Sequence, residues 1–169
     1  MKDKIKKKIK EYLKEGVIFV VLLTVVLNGV SYYRSLDLNK DKLHIETFKL
    51  LDNTTYEVKN NKPILVHFWA TWCPTCKFES PNVDTISKDY EVITIAVQSG
   101  SKENIQKYLD EHGLRFNVVN DSDGALSQKF NIQVFPTTLI YDKEKNLKFS
   151  EVGYTTTAGL YSRMLLSKN

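Results

Sequence analysis

The stretch Pro63-Ile-Leu-Val-His-Phe-Trp-Ala-Thr-Trp-Cys-Pro-Thr-Cys76 decides the fold. Its first seven residues, 63–69, form an apolar run of strand length, the pattern of a strand covered on both faces. Pro74 then marks a helix start, because its fixed φ suits the first helical position and its missing N–H is not needed there. Cys73 and Cys76 therefore fall at a strand-to-helix junction. Unpaired amide donors and the positive end of the helix dipole stabilise a thiolate on the first of them. A free thiol with a pKa of about 8.5 is only a few per cent ionised at pH 7, whereas a pKa near 7 makes it about half thiolate. Cys73, at the helix mouth, is the expected nucleophile. Cys76, one turn inside, is the expected resolving thiol.

Strand and helix alternate on both sides of this stretch. Upstream, residues 44–50 and 54–58 read as two short strands joined by a turn at Asp52-Asn53. Downstream, a helix is expected over 74–90 and a buried strand over 92–97. Ser101 is a helix N-cap candidate, Ile105 and Leu109 give that helix one apolar face, and Gly113 is its stop. A short strand over 116–119 and a short helix over 123–130 follow. Residues 137–141 and 147–152 form a hairpin whose turn, Lys143-Glu-Lys145 included, reads as solvated charge, and 155–167 closes the chain as a helix. Parallel central strands with a terminal hairpin make this an α/β fold.

The chain of 169 residues has no cysteines besides these two, so it carries no structural disulfide framework. A zinc site needs four ligands; there is no second Cys-x-x-Cys, and His44, His67 and His112 are scattered. Two inert buried cysteines fit poorly with a place at a helix mouth. A two-thiolate copper(I) site stays chemically open at this spacing. The formal charge of +4 invites a nucleic-acid reading, and its distribution excludes one. Residues 1–15 hold seven lysines against Asp3, Glu11 and Glu15, while residues 16–169 are neutral.

That basic tail leads into residues 16–33, which carry no charge. As a helix at about 1.5 Å per residue they reach roughly 27 Å, close to the hydrocarbon thickness of a bilayer. Lysines precede the run, and Tyr32, Tyr33 and the single Arg34 end it. The positive-inside rule places the N-terminus in the cytoplasm and everything after residue 34 across the membrane. A cleavable signal peptide is the competing reading, but Asn28, Tyr32 and Tyr33 occupy the region where a small-x-small cleavage site belongs. The expected organisation is a basic tail over 1–15, a transmembrane anchor over 16–33, a polar stalk over 34–42 and one folded domain over 43–169. Ile5, Ile9 and Leu13 give the tail an apolar stripe suited to lying on the anionic inner leaflet.

Residues Phe68-Trp-Ala-Thr-Trp-Cys-Pro-Thr-Cys76 resemble the active-site segment of the thioredoxin superfamily, in its membrane-anchored TlpA/ResA-like branch. Pro81, Val97-Gln-Ser-Gly100, Val118-Val-Asn-Asp-Ser-Asp-Gly-Ala-Leu-Ser127, Phe135-Pro-Thr137 and Val152-Gly-Tyr-Thr155 extend the similarity to the suppressor-of-copper-sensitivity D proteins. The resemblance implies a thioredoxin fold: a central mixed β-sheet flanked by helices, here preceded by one N-terminal transmembrane helix. It implies that Pro136 is the cis-proline beside the redox pair, with Phe135 and Thr137 in the substrate-binding loop and the backbone of Phe135 pairing with a bound chain. Trp72 is expected to flank Cys73 on the contact surface. Glu79 matches a glutamate that ResA-like proteins place near the active site, where a buried carboxyl exchanges protons with Cys76 or raises its pKa.

Two departures matter. His67 stands where thioredoxin has a buried aspartate; a neutral imidazole there relays a proton, a charged one stabilises thiolate, and a satisfied core histidine does neither. Pro74-Thr75, between the cysteines, is neither the Gly-Pro of thioredoxin nor the Pro-His of DsbA, so the dipeptide does not decide between reductant and oxidant.

The resemblance implies a thiol–disulfide oxidoreductase on the outer face of the bacterial inner membrane, acting on protein disulfides. It uses the Cys73–Cys76 disulfide without an organic cofactor or metal, is re-reduced by a membrane electron donor of the DsbD or ScsB type, and protects against copper stress. A disulfide-donating oxidase and a tethered copper(I)-binding module are the alternatives.

Overall fold

The computed structural model describes residues 2–168; the side chains of residues 2–7 and 9, on which most of the expected apolar stripe of the tail falls, lie outside the described residues. α1 (Lys2–Arg34) is one continuous helix. Its part Lys10–Arg34 is long and apolar enough to cross a membrane, and the most apolar window of that part is buried against nothing in the protein.

Beyond it, β1 (Thr47–Lys49) and β2 (Thr55–Glu57) pair antiparallel. The carboxylate of Asp52 closes their turn by accepting from the N–H and hydroxyl of Thr54. The main sheet is built from β3 (Ile64–Trp69), β4 (Glu91–Val97), β5 (Val118–Asp121), β6 (Thr137–Tyr141) and β7 (Leu147–Val152), in the order β5-β4-β3-β6-β7. β3, β4 and β5 are parallel, and β6 and β7 antiparallel. Every residue of β3 is at most 1% exposed, which explains why its sequence shows no alternation.

Alternate residues of β3 feed two cores. Leu65 and Trp69 point into a layer with Val83 and Ile86 of α2 (Pro74–Ser87), Ile105 and Leu109 of α3 (Lys102–His112), and Leu160 and Met164 of α5 (Thr157–Leu166). Ile64, Val66 and Phe68 point the other way, onto Phe48, Phe130 and Ile132. Burying each such side chain contributes about 1.5–3 kcal/mol, set against the conformational entropy of the ordered chain. Ser101 caps α3 as expected, accepting from the N–H of Asn104 at 3.3 Å, and Gly113 ends it with φ +64°.

β5 begins two residues later than its apolar run suggests. Parallel pairing with β4 sets its register, from Thr94↔Val118 to Val97↔Asp121, and carries the strand onto two polar residues that propensity assigns to a turn. Asp121 then does what no local pattern announces. Its buried carboxylate accepts from the N–H groups of Leu126 and Ser127, both at 2.9 Å, and so caps α4 (Ala125–Lys129), whose own N-cap is Gly124. Asp121→Ala is expected to leave those donors unpaired and to cost about 1–3 kcal/mol in urea unfolding, with fraying confined to α4.

Two further expectations need correction. The segment expected as a stalk is strapped to the domain: Ser35 and Leu38 are buried, the N–H of Asn39 donates to the carbonyl of Phe130 at 3.1 Å, and that of Leu43 to Lys145 at 2.9 Å. The polar composition hid Leu38, which covers the second core next to Leu43, the first residue of the expected domain. Lys145 is not a solvated charge either. It is 8% exposed, and its ammonium donates to the carbonyls of Lys59 and Lys62 at 2.7 and 2.6 Å, pinning the β2–β3 connection to the β6–β7 turn.

Candidate active site

Cys73 leaves the end of β3 through a tight turn, its N–H donating to the carbonyl of Ala70, and serves as N-cap of α2 with φ −91° and ψ 112°. Its sulfur accepts from the N–H of Cys76 at 3.2 Å, the geometry in which a helix start stabilises negative charge. The two sulfurs are bonded, with Cα atoms 5.3 Å apart. Cys73 is 6% exposed and Cys76 fully buried, so only the first sulfur is open to attack. Pro74 and Thr75 cross between them on the surface.

Trp72 is 59% exposed and walls one side of the pair. Its indole meets the ring of Phe135 edge-on at 5.6 Å, and its Nε1–H donates to the carbonyl of Gln98 at 3.2 Å. The Phe135–Pro136 peptide bond is cis. The loop is held from both ends: the Thr137 hydroxyl donates to the carbonyl of Val134 at 2.7 Å, and the N–H of Gly153 to that of Pro136 at 2.8 Å. Phe135, half-buried, packs against the cluster that holds both cysteines and carries the buried Pro136 beside it, so Trp72 and the cis-proline loop flank the redox pair.

Glu79 and His67 lie beneath it. Glu79 sits on α2 one turn beyond Cys76 and is fully buried; among the described residues neither carboxylate oxygen has a hydrogen-bond partner. Burial pushes its pKa up to about 8, and the charge of Glu151 pushes the same way. The amide of Thr155 opposes the rise without meeting hydrogen-bond geometry. His67, fully buried, contacts the Thr138 hydroxyl through Nδ1 at 2.9 Å, while Nε2 has no partner among the described residues. Burial pushes its pKa down to about 3, so the imidazole is neutral at physiological pH and the charged-histidine reading is dropped.

Strand register explains this polar layer. Thr94, His67, Thr138 and Glu151 are successive cross-strand partners, hence on one face of the sheet, the face that α2 and α5 cover. Glu151 ends the row in an ion pair with Arg163 of α5 at 2.5 Å. Neither residue stands out in the sequence, because their pairing depends on the β6–β7 hairpin register.

Asn82 is another residue the sequence does not announce. Three residues after Glu79 on α2, it donates to the carbonyl of Thr155 at 2.9 Å and accepts from the Thr157 hydroxyl at 2.8 Å. That ties α2 to the segment whose Gly153 holds Pro136. Ser99, within the motif Val97-Gln-Ser-Gly100, accepts from the N–H of Thr71 at 3.0 Å and steadies the turn before Trp72.

No group of three or more His, Cys, Asp or Glu side chains is placed to hold a metal among the described residues. A disulfide at a helix start beside a half-buried Phe135 and its cis-proline, with a protonatable carboxyl buried on the same helix, is suited to exchanging disulfides through its own sulfurs.

Comparison with known proteins agrees. Residues 36–150 match the AhpC/TSA family. The chain is similar to a thioredoxin-like protein of Haemophilus influenzae, 28% identical over 95% of this chain and 98% of that one. It is also similar to the thiol-disulfide oxidoreductase ResA of Bacillus subtilis, 25% identical over 96% of each. The crystal structure of StoA from Bacillus subtilis superposes with a TM-score of 0.62 at 21% identity, over 69% of this chain and 93% of that one, which shows the fold. The chain belongs to the AhpC/TSA family and is a thioredoxin-like thiol–disulfide oxidoreductase.

Proposed function

We propose that this enzyme is a disulfide reductase tethered to the outer face of the bacterial inner membrane by α1, with Cys73 as nucleophile and Cys76 as resolving thiol. The observation that carries the reading is one open sulfur at a helix start, a second sealed below it, and a carboxyl buried one turn deeper. In the reduced protein the Cys73 thiolate attacks a substrate disulfide and expels one substrate sulfur as thiolate. Cys76, losing its proton, then attacks Cys73 and expels the second. The substrate gains two electrons and the protein keeps the disulfide. A membrane dithiol donor of the DsbD or ScsB type reverses this by attacking Cys73. Cys76 then leaves as a thiolate, and protonated Glu79 supplies its proton.

Phe135, Pro136 and Thr137 offer the substrate a backbone edge beside Trp72. Residues 16–30 of α1 carry no charge and are exposed on every side, which suits lipid rather than water. The likeness to the suppressor-of-copper-sensitivity D proteins extends the proposal to repair of copper-damaged protein thiols. Equilibration with glutathione tests the direction. A Cys73–Cys76 potential near thioredoxin's, about −270 mV, is expected, and one near DsbA's, about −120 mV, overturns the reductase reading.

A further inference from the structure

The way α1 meets the catalytic domain leaves almost no free tether. Ser31, in the last turn of the expected span, accepts through its hydroxyl from the N–H of Val152 at 2.9 Å. The next residue, Gly153, is the one that holds the carbonyl of Pro136. Tyr33, Arg34, Val134 and Thr137 share the lining of one cavity of about 110 Å³, so the end of the helix and the two ends of the cis-proline loop are neighbours.

The chain is fastened again at once. Ser35 is 2% exposed, the Asn131 amide donates to the carbonyl of Asp37, and the side chain of Asn39 donates to the carbonyl of Lys129. From Arg34 to Asp37 is three residues, at most about 10 Å of extended chain. Even with the Ser31 contact broken, the Asp37–Asn131 hydrogen bond keeps the Asn131 amide close to that distance from the point where the helix ends. The headgroup region on each side of a bilayer is about 5–8 Å thick. Tyr32 and Tyr33 are of the type that settles at that level, and Arg34, Lys40 and Lys129 are cations around the same exit point.

We infer that the face formed by the end of α1, the end of β7 and residues 129–137 rests on the lipid headgroups of the enzyme's own membrane, so that Cys73 and the Pro136 loop work at the bilayer surface. The inference depends on α1 being the membrane anchor proposed above. Its consequence is steric. The bilayer closes one side of the approach to Cys73 and favours disulfides presented at membrane level over those of large diffusing proteins.

Trp72 reports the placement without modification, since it is 59% exposed beside Cys73, whereas Trp69 is fully buried. The full chain is reconstituted in phosphatidylcholine–phosphatidylglycerol vesicles carrying a nitroxide on the headgroup. The expected result is quenching of Trp72 emission, taken as the difference between the parent and Trp72→Phe. It is lost when about 20 Gly/Ser residues, a coil of roughly 25 Å, are inserted between Arg34 and Ser35. The inserted protein must reduce glutathione disulfide at the parent rate, which shows that its domain is folded. Protein that floats with the vesicles while Trp72 stays unquenched overturns the inference and leaves the anchor standing. Equal quenching after insertion overturns the role of the α1 junction. Protein that does not float with the vesicles overturns the anchor and the inference together.

Discussion

Cys76→Ser is expected to hold the protein on its partners as mixed disulfides, and Cys73→Ser to bring disulfide exchange down to background. The asymmetry follows from burial. Cys73 is the one residue of the pair with any exposed surface, and the N–H of Cys76 already points at its sulfur, so negative charge on Cys73 finds a partner in place. Serine at 73 leaves Cys76 as the remaining thiol, fully buried on the inner face of α2 and out of reach of an incoming disulfide. Serine at 76 leaves the attack intact but removes the group that resolves it. Capture in the native membrane, read as adducts that dithiothreitol releases, checks both halves. Equal trapping by the two variants, or by neither, overturns the assignment of roles. Tight copper(I) binding by the parent, with no adduct from either variant, favours the metal-carrying alternative.

Much of this was legible in advance because it is written locally. A buried parallel strand is a continuous apolar run, a helix start is a proline after a cap, and both features converge on Cys73. The helix cap at Ser101 and the stop at Gly113 are local in the same sense. What was not legible depends on residues far apart in the chain. Asp121 reads as a turn residue until β4 draws it into a strand and α4 comes within reach of its carboxylate. Leu38 and Leu43 sit in polar company, and only the second core shows why they are there. Glu151 and Asn82 gain their places through the hairpin register and the return of the chain to α2. The resemblance named Glu79 and His67 without fixing their charge states. Burial does that, holding the carboxyl protonated and the imidazole neutral near pH 7.

Glu79 accordingly carries a large pH dependence of stability. In the unfolded chain its carboxyl titrates near the ordinary 4.5, and in the folded protein burial holds it to about 8. Between those values the native state keeps a proton that the unfolded state has lost, so stability falls as pH rises from about 4.5 and levels off above about 8. The penalty at pH 7 is on the order of 3 kcal/mol. Other groups face this carboxyl. Glu151 on β7 raises its pKa further, with its own charge held by Arg163 on α5. His67 on β3 is neutral throughout the window and adds no charge. Glu79→Gln is neutral at every pH, so the expected result is a flatter profile between pH 5 and 8. Urea unfolding of the oxidised full chain in detergent, at several pH values, checks it. The amide's unpaired donors cost about 1–3 kcal/mol of their own, which lowers the whole curve without restoring the slope. The same substitution separates chemistry from stability, because the rate at which a dithiol reduces the Cys73–Cys76 disulfide is expected to lose an inflection near pH 8. A variant that keeps both the parent's stability slope and that inflection shows that a different group carries the proton for Cys76.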